Sequence, residues 1–159
     1  MIRHVIRQLA VQTLFQMEVG QLTREEAIEN IEEMVEDLKE EAFEIVGEEL
    51  NGQGITKINS QFQLDGFYFE LVDGVLGNLK QIDETIEENL YDWSLVRLNK
   101  VDKAILRLAT YEMKYSEETN HSVVINEAIE LTKEFSDTGD GKAKSFNNRV
   151  LDQIKKSLA

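Results

Sequence analysis

Apolar residues recur along this chain at helical spacing. At the N-terminus Ile2, Val5, Ile6, Leu9, Ala10, Leu14 and Met17 fall on one stripe, the i, i+3, i+4, i+7 pattern of a helix with one buried face. Arg3, Arg7, Gln8 and Gln12 lie off that stripe, which predicts that they face solvent. Thr23 followed by Glu26 is a capping box, in which the hydroxyl caps the first turn and the carboxylate reaches back. It opens a second predicted helix whose apolar face is Ala27, Ile28, Ile31, Met34, Val35, Leu38, Ala42 and Ile45. The pattern ends around Leu50, and Asn51, Gly52, Gln53 and Gly54 read as a loop. Residues 51–64 are polar and lack a clean period, so this stretch is predicted to be mobile.

A third helix is predicted from near Asp65, burying Phe67, Leu71, Val72, Val75, Leu76 and Leu79. A shorter fourth carries Ile82, Ile86 and Leu90 and runs into Trp93, and a fifth spans Asn99 to Tyr115 with Val101, Ile105, Leu106, Leu108, Ala109 and Met113 inward. Ser122 is expected to cap a sixth helix through Phe135. Its opening Val123, Val124 and Ile125 favour strand locally, while Ala128, Ile129 and Leu131 favour helix. After a turn at Gly139, Asp140 and Gly141, a last helix buries Ala143, Phe146, Val150, Leu151 and Ile154. No alternating strand pattern or internal repeat occurs. The predicted fold class is all-α, a compact bundle of about six or seven helices in one domain over residues 1–159. The absence of proline leaves these helices without an imposed kink.

Composition narrows the function. A chain of 159 residues with 42% hydrophobic residues can bury a core. No cysteine is present, which removes disulfides, thiolate nucleophiles and cysteine zinc sites and fits a reducing compartment. No apolar run approaches the roughly 20 residues of a membrane span, and Arg7 and Gln8 interrupt any signal-peptide core. The expectation is a cytoplasmic protein without a membrane partner.

The net charge of −14 opposes nucleic acid, but it is unevenly spread. Residues 1–17 carry Arg3 and Arg7 and no acid; residues 21–50 carry twelve acids against Arg24 and Lys39, a net of −10. Residues 142–159 carry Lys142, Lys144, Arg149, Lys155 and Lys156 against Asp152, a net of +4. Screening confines charge effects to about 10 Å at ordinary salt, so local potential decides where a polyanion docks. The two chain ends are the places open to RNA.

Chemistry for catalysis is missing. The histidines are His4 and His121, too few for a transition-metal site without cysteine; no metal site and no cofactor are expected. The run from Asp137 to Lys142 faintly resembles a calcium or phosphate loop. It lacks alternate oxygen ligands and a closing Glu, while Ser136 and Ala143 stand where a Walker A motif needs Gly and Ser or Thr. A glycine turn opening a helix is the better account. Arg3, Arg7, Gln8 and Gln12 instead offer planar phosphate donors and base-edge donors on one face, and His4 beside Arg3 joins that patch. Lys142 and Lys144 sit where the free N–H groups of a helix start favour an anion. Phe135 and Tyr68 are candidate stacking surfaces for unpaired bases, with a core role open for either; Phe146 reads as core.

Several blocks in one order add a resemblance. The run from Arg7 to Gln16 (RQLAVQTLFQ), that from Leu71 to Asn78 (LVDGVLGN) with Ile82 and Asp83, and above all that from Trp93 to Glu112 (WSLVRLNKVDKAILRLATYE) resemble the NusB family. The run from Val124 to Lys133 (VINEAIELTK), then Phe146, Asn148 and Val150 to Asp152, completes it. The resemblance implies a NusB-like helical fold without catalytic activity. It implies binding to boxA-type single-stranded RNA of ribosomal RNA transcripts together with the ribosomal protein NusE, in an RNA polymerase antitermination complex that reads through terminators. The family's arginine-rich N-terminus maps onto Arg3 and Arg7, its RNA-contacting aromatic onto Phe135, and its Lys-Phe-x-Asn element near Ser145 to Asn148.

The candidate RNA-binding residues are thus Arg3, His4, Arg7, Gln8, Gln12, Tyr68, Phe135, Lys142, Lys144 and Asn148. Ser145 stands where the family usually has Lys, Arg149 where it has a small residue, and Asn120 where it often has Pro, and the N-terminus is less basic than in many members. These departures predict weaker or altered RNA preference, with partner binding carrying more of the total. A second reading, a non-catalytic protein-interaction module with the same fold and little RNA binding, draws on the −14 charge and the acidic second helix. An RNA-modification role is disfavoured, because the glycine-rich cofactor loop of a methyltransferase is absent. The oligomeric state is open, with a homodimer compatible.

Overall fold

The computed structural model describes residues 2–44, 58, 62–91 and 93–159, with side chains throughout except at 2 and 41–44. Among them the regular elements are seven α-helices and one 3-10 turn, with no strand. The helices are α1 (Ile2–Val19), α2 (Arg24–Glu44), α3 (Gly66–Gly77), α4 (Leu79–Glu88), α5 (Lys100–Tyr115), α6 (His121–Phe135) and α7 (Lys142–Ser157); the turn is Leu95–Arg97. The fold is all-α, as the apolar periodicity predicts. Contacts divide the chain into two units, Met1–Val72 and Asp73–Ala159, with the division falling inside α3.

In the first unit α1 packs against α2. The capping box forms as expected: Thr23 Oγ1 accepts from the Glu26 N–H at 3.1 Å, and Glu26 Oε1 accepts from the Thr23 N–H at 3.0 Å. Ala27, Ile28, Ile31 and Val35 are buried on the predicted face; Ile45 and Leu50 lie outside the described residues. Most of the predicted loop at 51–64 also lies outside them, yet Ile58 and Phe62 within it are buried. Asp65 caps α3 by accepting from the N–H groups of Phe67 and Tyr68 at 3.1 and 3.2 Å.

In the second unit α5 packs against α4, α6 and α7. Its Ala104, Ile105, Leu106, Leu108 and Ala109 are all buried. Asn99 caps α5 by accepting from the Asp102 N–H at 2.9 Å. Arg107 grips Asp83 of α4 with Nε and Nη2 at 2.8 and 2.9 Å, the paired geometry that makes Arg–carboxylate bonds strong. Two boundaries differ from expectation. The cap of α6 is Asn120, whose Oδ1 accepts from the Ser122 N–H at 2.7 Å, so Ser122 is inside the helix. Helix α4 stops at Glu88, and Trp93 lies beyond it, 43% exposed under the Arg97 guanidinium at 4.5 Å.

Candidate nucleic-acid interface

The candidate residues fall into two groups, one in each unit. In the first unit Arg3, near the start of α1, is exposed, and His4 and Gln12 are half-buried. The Arg3 guanidinium lies 4.3 Å from the centre of the Phe67 ring, and that of Arg7 lies 5.3 Å from it. An exposed cation, Arg3, and a buried one, Arg7, thus meet one half-buried aromatic ring, contacts that cation–π attraction favours.

Three expectations need correcting here. Arg7 is 4% exposed and Gln8 is fully buried, so neither lies on an open face of α1. The reason is that every residue from Val5 to Val11 is buried: the helix is enclosed around its first turns rather than along one stripe, and both polar side chains are engaged within the protein. Tyr68 is likewise fully buried and is no stacking surface. Thr13 Oγ1 donates to the Leu9 carbonyl at 2.8 Å and so accepts the Tyr68 hydroxyl at 2.6 Å, which holds the phenol inside. Its neighbour Phe67, expected in the core, takes the half-exposed place beside the arginines. The usable signal for Phe67 was its aromatic character beside the Asp65 cap; nothing local told the two rings apart.

In the second unit Phe135 at the end of α6 is half-buried, while Lys142 and Asn148 on α7 are exposed and Lys144 is half-buried. The turn between the helices is built by two carboxylates. Asp137 Oδ1 accepts from the N–H groups of Gly139 and Gly141 at 2.8 and 3.2 Å, and Asp140 Oδ1 from that of Lys142 at 2.9 Å. Gly139 and Gly141 have φ of 100° and 74°, which residues with a Cβ rarely adopt. The Gly139 N–H above all, with those of Gly141 and Lys144 and the Lys144 charge, holds the Asp137 carboxyl below its usual value, against an opposing effect of burial. The expectation of free N–H groups at the start of α7 is therefore corrected: the chain's own acids occupy those of Gly139, Gly141 and Lys142. Positive charge there comes from the lysine side chains.

The Phe146–Asn147–Asn148 element splits by helix geometry. Asn147 is fully buried, Asn148 exposed and Phe146 half-buried with the Arg149 guanidinium 5.8 Å from its ring. Among the described residues no group of three His, Cys, Asp or Glu could hold a metal ion, and no helix is long and apolar enough to cross a membrane.

Comparison with known proteins agrees along nearly the whole chain. The model of the NusB family matches residues 4–156. The transcription antitermination protein NusB of Geobacillus kaustophilus is 39% identical over 156 residues, covering 98% of this chain and 97% of that protein. The solved structure of T. maritima NusB superposes with a TM-score of 0.71 at 27% identity, covering 97% of this chain and 90% of its own. A chain from the crystal structure of antitermination factors NusB and NusE in complex with dsRNA shares the fold, with a TM-score of 0.70 at 22% identity over 98% of this chain and 97% of its own. From the first helix through the last, this chain belongs to the NusB family.

Proposed function

We propose that this chain is a cytoplasmic transcription antitermination factor that binds boxA-type RNA of ribosomal RNA transcripts together with the ribosomal protein NusE. It acts by binding, without catalysis or cofactor, and supports read-through by RNA polymerase. The observation that carries this reading is the exposed Arg3 against the half-buried Phe67 ring, backed from inside by Arg7, in a chain of net charge −14. An unpaired base can lie against such a ring while Arg3 meets its phosphate, and stacking of this kind contributes about 1–3 kcal/mol per base. Arg3, His4 and Gln12 form the contact set of α1, with Arg7 supporting Phe67 from its buried position. Lys142, Lys144, Asn148 and Phe135 form the set of the second unit. The proposed arrangement is one RNA-binding domain over residues 1–159, which the family match over residues 4–156 supports.

A salt titration of binding to a boxA-containing single-stranded RNA tests the reading. Arg3→Ala is expected to lower the slope of log affinity against log salt by about 0.7, the share of one phosphate contact on a single strand. Phe67→Leu should weaken binding with little change in slope, since a ring releases no counterion. Unchanged affinity and slope in both variants would remove α1 from the interface. The competing reading, a protein-interaction module with little RNA binding, rests on the acidic α2. It predicts recovery of basic proteins from a pull-down that survives nuclease treatment, with no RNA protected from digestion.

A further inference from the structure

We propose that Asp102 is a positioning residue for the RNA-facing end of α6 and α7, acting through Ser136 and Asn147. The proposal rests on the RNA-binding reading given above. Asp102 lies in the first turn of α5 and is 9% exposed. Its Oδ1 accepts from Ser136 Oγ at 2.6 Å and from Asn147 Nδ2 at 3.0 Å. Ser136 follows Phe135 directly, and Asn147 is the buried residue between Phe146 and Asn148. One charged oxygen thereby holds the end of α6 and the middle of α7 to α5. A buried donor left without its acceptor is costly, so the two bonds fix the positions of both side chains.

Thr132 extends the same network. Asn147 Nδ2 also donates to Thr132 Oγ1 at 3.0 Å, and the Thr132 carbonyl accepts the N–H groups of Ser136 and Asp137 at 2.9 and 2.8 Å. The last of these reaches the carboxylate residue that shapes the glycine turn before Lys142. Asn147 Oδ1 is buried with no hydrogen-bond partner, a cost the fold retains. The reversed amide would set an oxygen against the Asp102 carboxylate, so Nδ2 must face it. A buried Asn that leaves one end unsatisfied fits a side chain kept for what its donor end holds in place.

The sign of the effect separates positioning from charge. Asp102 is an acid, and removing it takes the net charge from −14 to −13, so long-range electrostatics alone predicts equal or tighter RNA binding. Positioning predicts the reverse for Asp102→Ala and near-wild-type binding for Asp102→Asn, which loses the charge but keeps an acceptor oxygen. The experiment measures boxA RNA affinity of the full chain and both variants across salt, at a temperature where circular dichroism shows all three folded. Asp102→Ala is expected to bind about tenfold more weakly, because the ordering supplied by both hydrogen bonds is lost. Its salt slope should fall by about 0.7 or more as Lys142 and Lys144 lose their register. Equal affinity and slope for the two variants would overturn the proposal.

If Asp102→Ala does not fold, Ser136→Ala removes one of the two bonds alone. It should weaken binding about threefold, and unchanged affinity again overturns the proposal. Amide chemical shifts of residues 142–148, read without RNA, should move in Asp102→Ala and not in Asp102→Asn. A wild-type chain that binds no boxA RNA defeats the functional reading, and these shifts alone then show whether Asp102 orders the segment.

Discussion

A Cβ built on Gly74 of α3 would fall against the ring of Tyr111 on α5, only 2.6 Å from its hydroxyl oxygen. Tyr111 is buried and stacked on Tyr115, with ring centres 5.8 Å apart, so its ring has little room to retreat. Two effects compete in Gly74→Ala. Helix propensity favours alanine by about 1 kcal/mol, whereas overpacking of a close contact costs about 1–3 kcal/mol and outweighs it this near the ring. The expected net is a loss of about 1–2 kcal/mol of unfolding free energy by urea denaturation, and a gain would show that the ring yields. The same scale explains what sequence reading missed. Phe67 and Tyr68 are adjacent aromatics, and their opposite environments are decided by Thr13, 55 residues from Tyr68, which takes the hydroxyl at 2.6 Å. No local pattern carries such a partner. Tyr68→Phe should therefore cost about 1 kcal/mol in the same assay without changing RNA affinity.

At the scale of single elements the caps were largely legible, because a cap is a contact within three residues. The Thr23–Glu26 box forms as the spacing predicts, and Thr23→Ala should cost about 1 kcal/mol of stability in thermal or urea unfolding. The cap of α6 falls on Asn120 and not on the expected Ser122, because Asn120 has the extended conformation that lets its side-chain oxygen reach the Ser122 N–H. Helix α1 departs from its apolar stripe for a different reason. Periodicity ranks faces by polarity, but Arg7 and Gln8 are enclosed by neighbours that the stripe cannot reveal. The turn before α7 also makes a pH prediction. Asp137 has its carboxyl held below the usual 3.8 when folded, so its contribution is complete above that value and is lost as pH falls through the lower, folded one. Hydrogen exchange at the Gly139 and Gly141 amides should accelerate across that window relative to neighbouring turns. In Asp137→Asn the amides should show no such acid step.

Across the whole molecule the family and the helix order are readable because each is spread over many residues, whereas solvent exposure is readable at Arg3, Lys142 and Asn148 but not at Arg7, Gln8 or Tyr68, which neighbours distant in sequence enclose. The most uneven feature is α2. It carries Glu25 and Glu26 in its first turn, where the helix dipole welcomes them, but no basic residue in its last turn. Its exposed Glu29, Glu32, Glu33, Glu36, Asp37 and Glu40 repel one another, and the Lys39–Glu36 pair at 3.3 Å relieves little of this. Added potassium chloride should therefore raise the melting temperature of the free protein over the same range in which it weakens RNA binding. The two responses pull in opposite directions on one variable. A cell that concentrates ions under osmotic stress would therefore hold this protein more firmly folded while loosening any phosphate contact its basic ends make, so the acidic helix ties the protein's stability to the ionic strength around it.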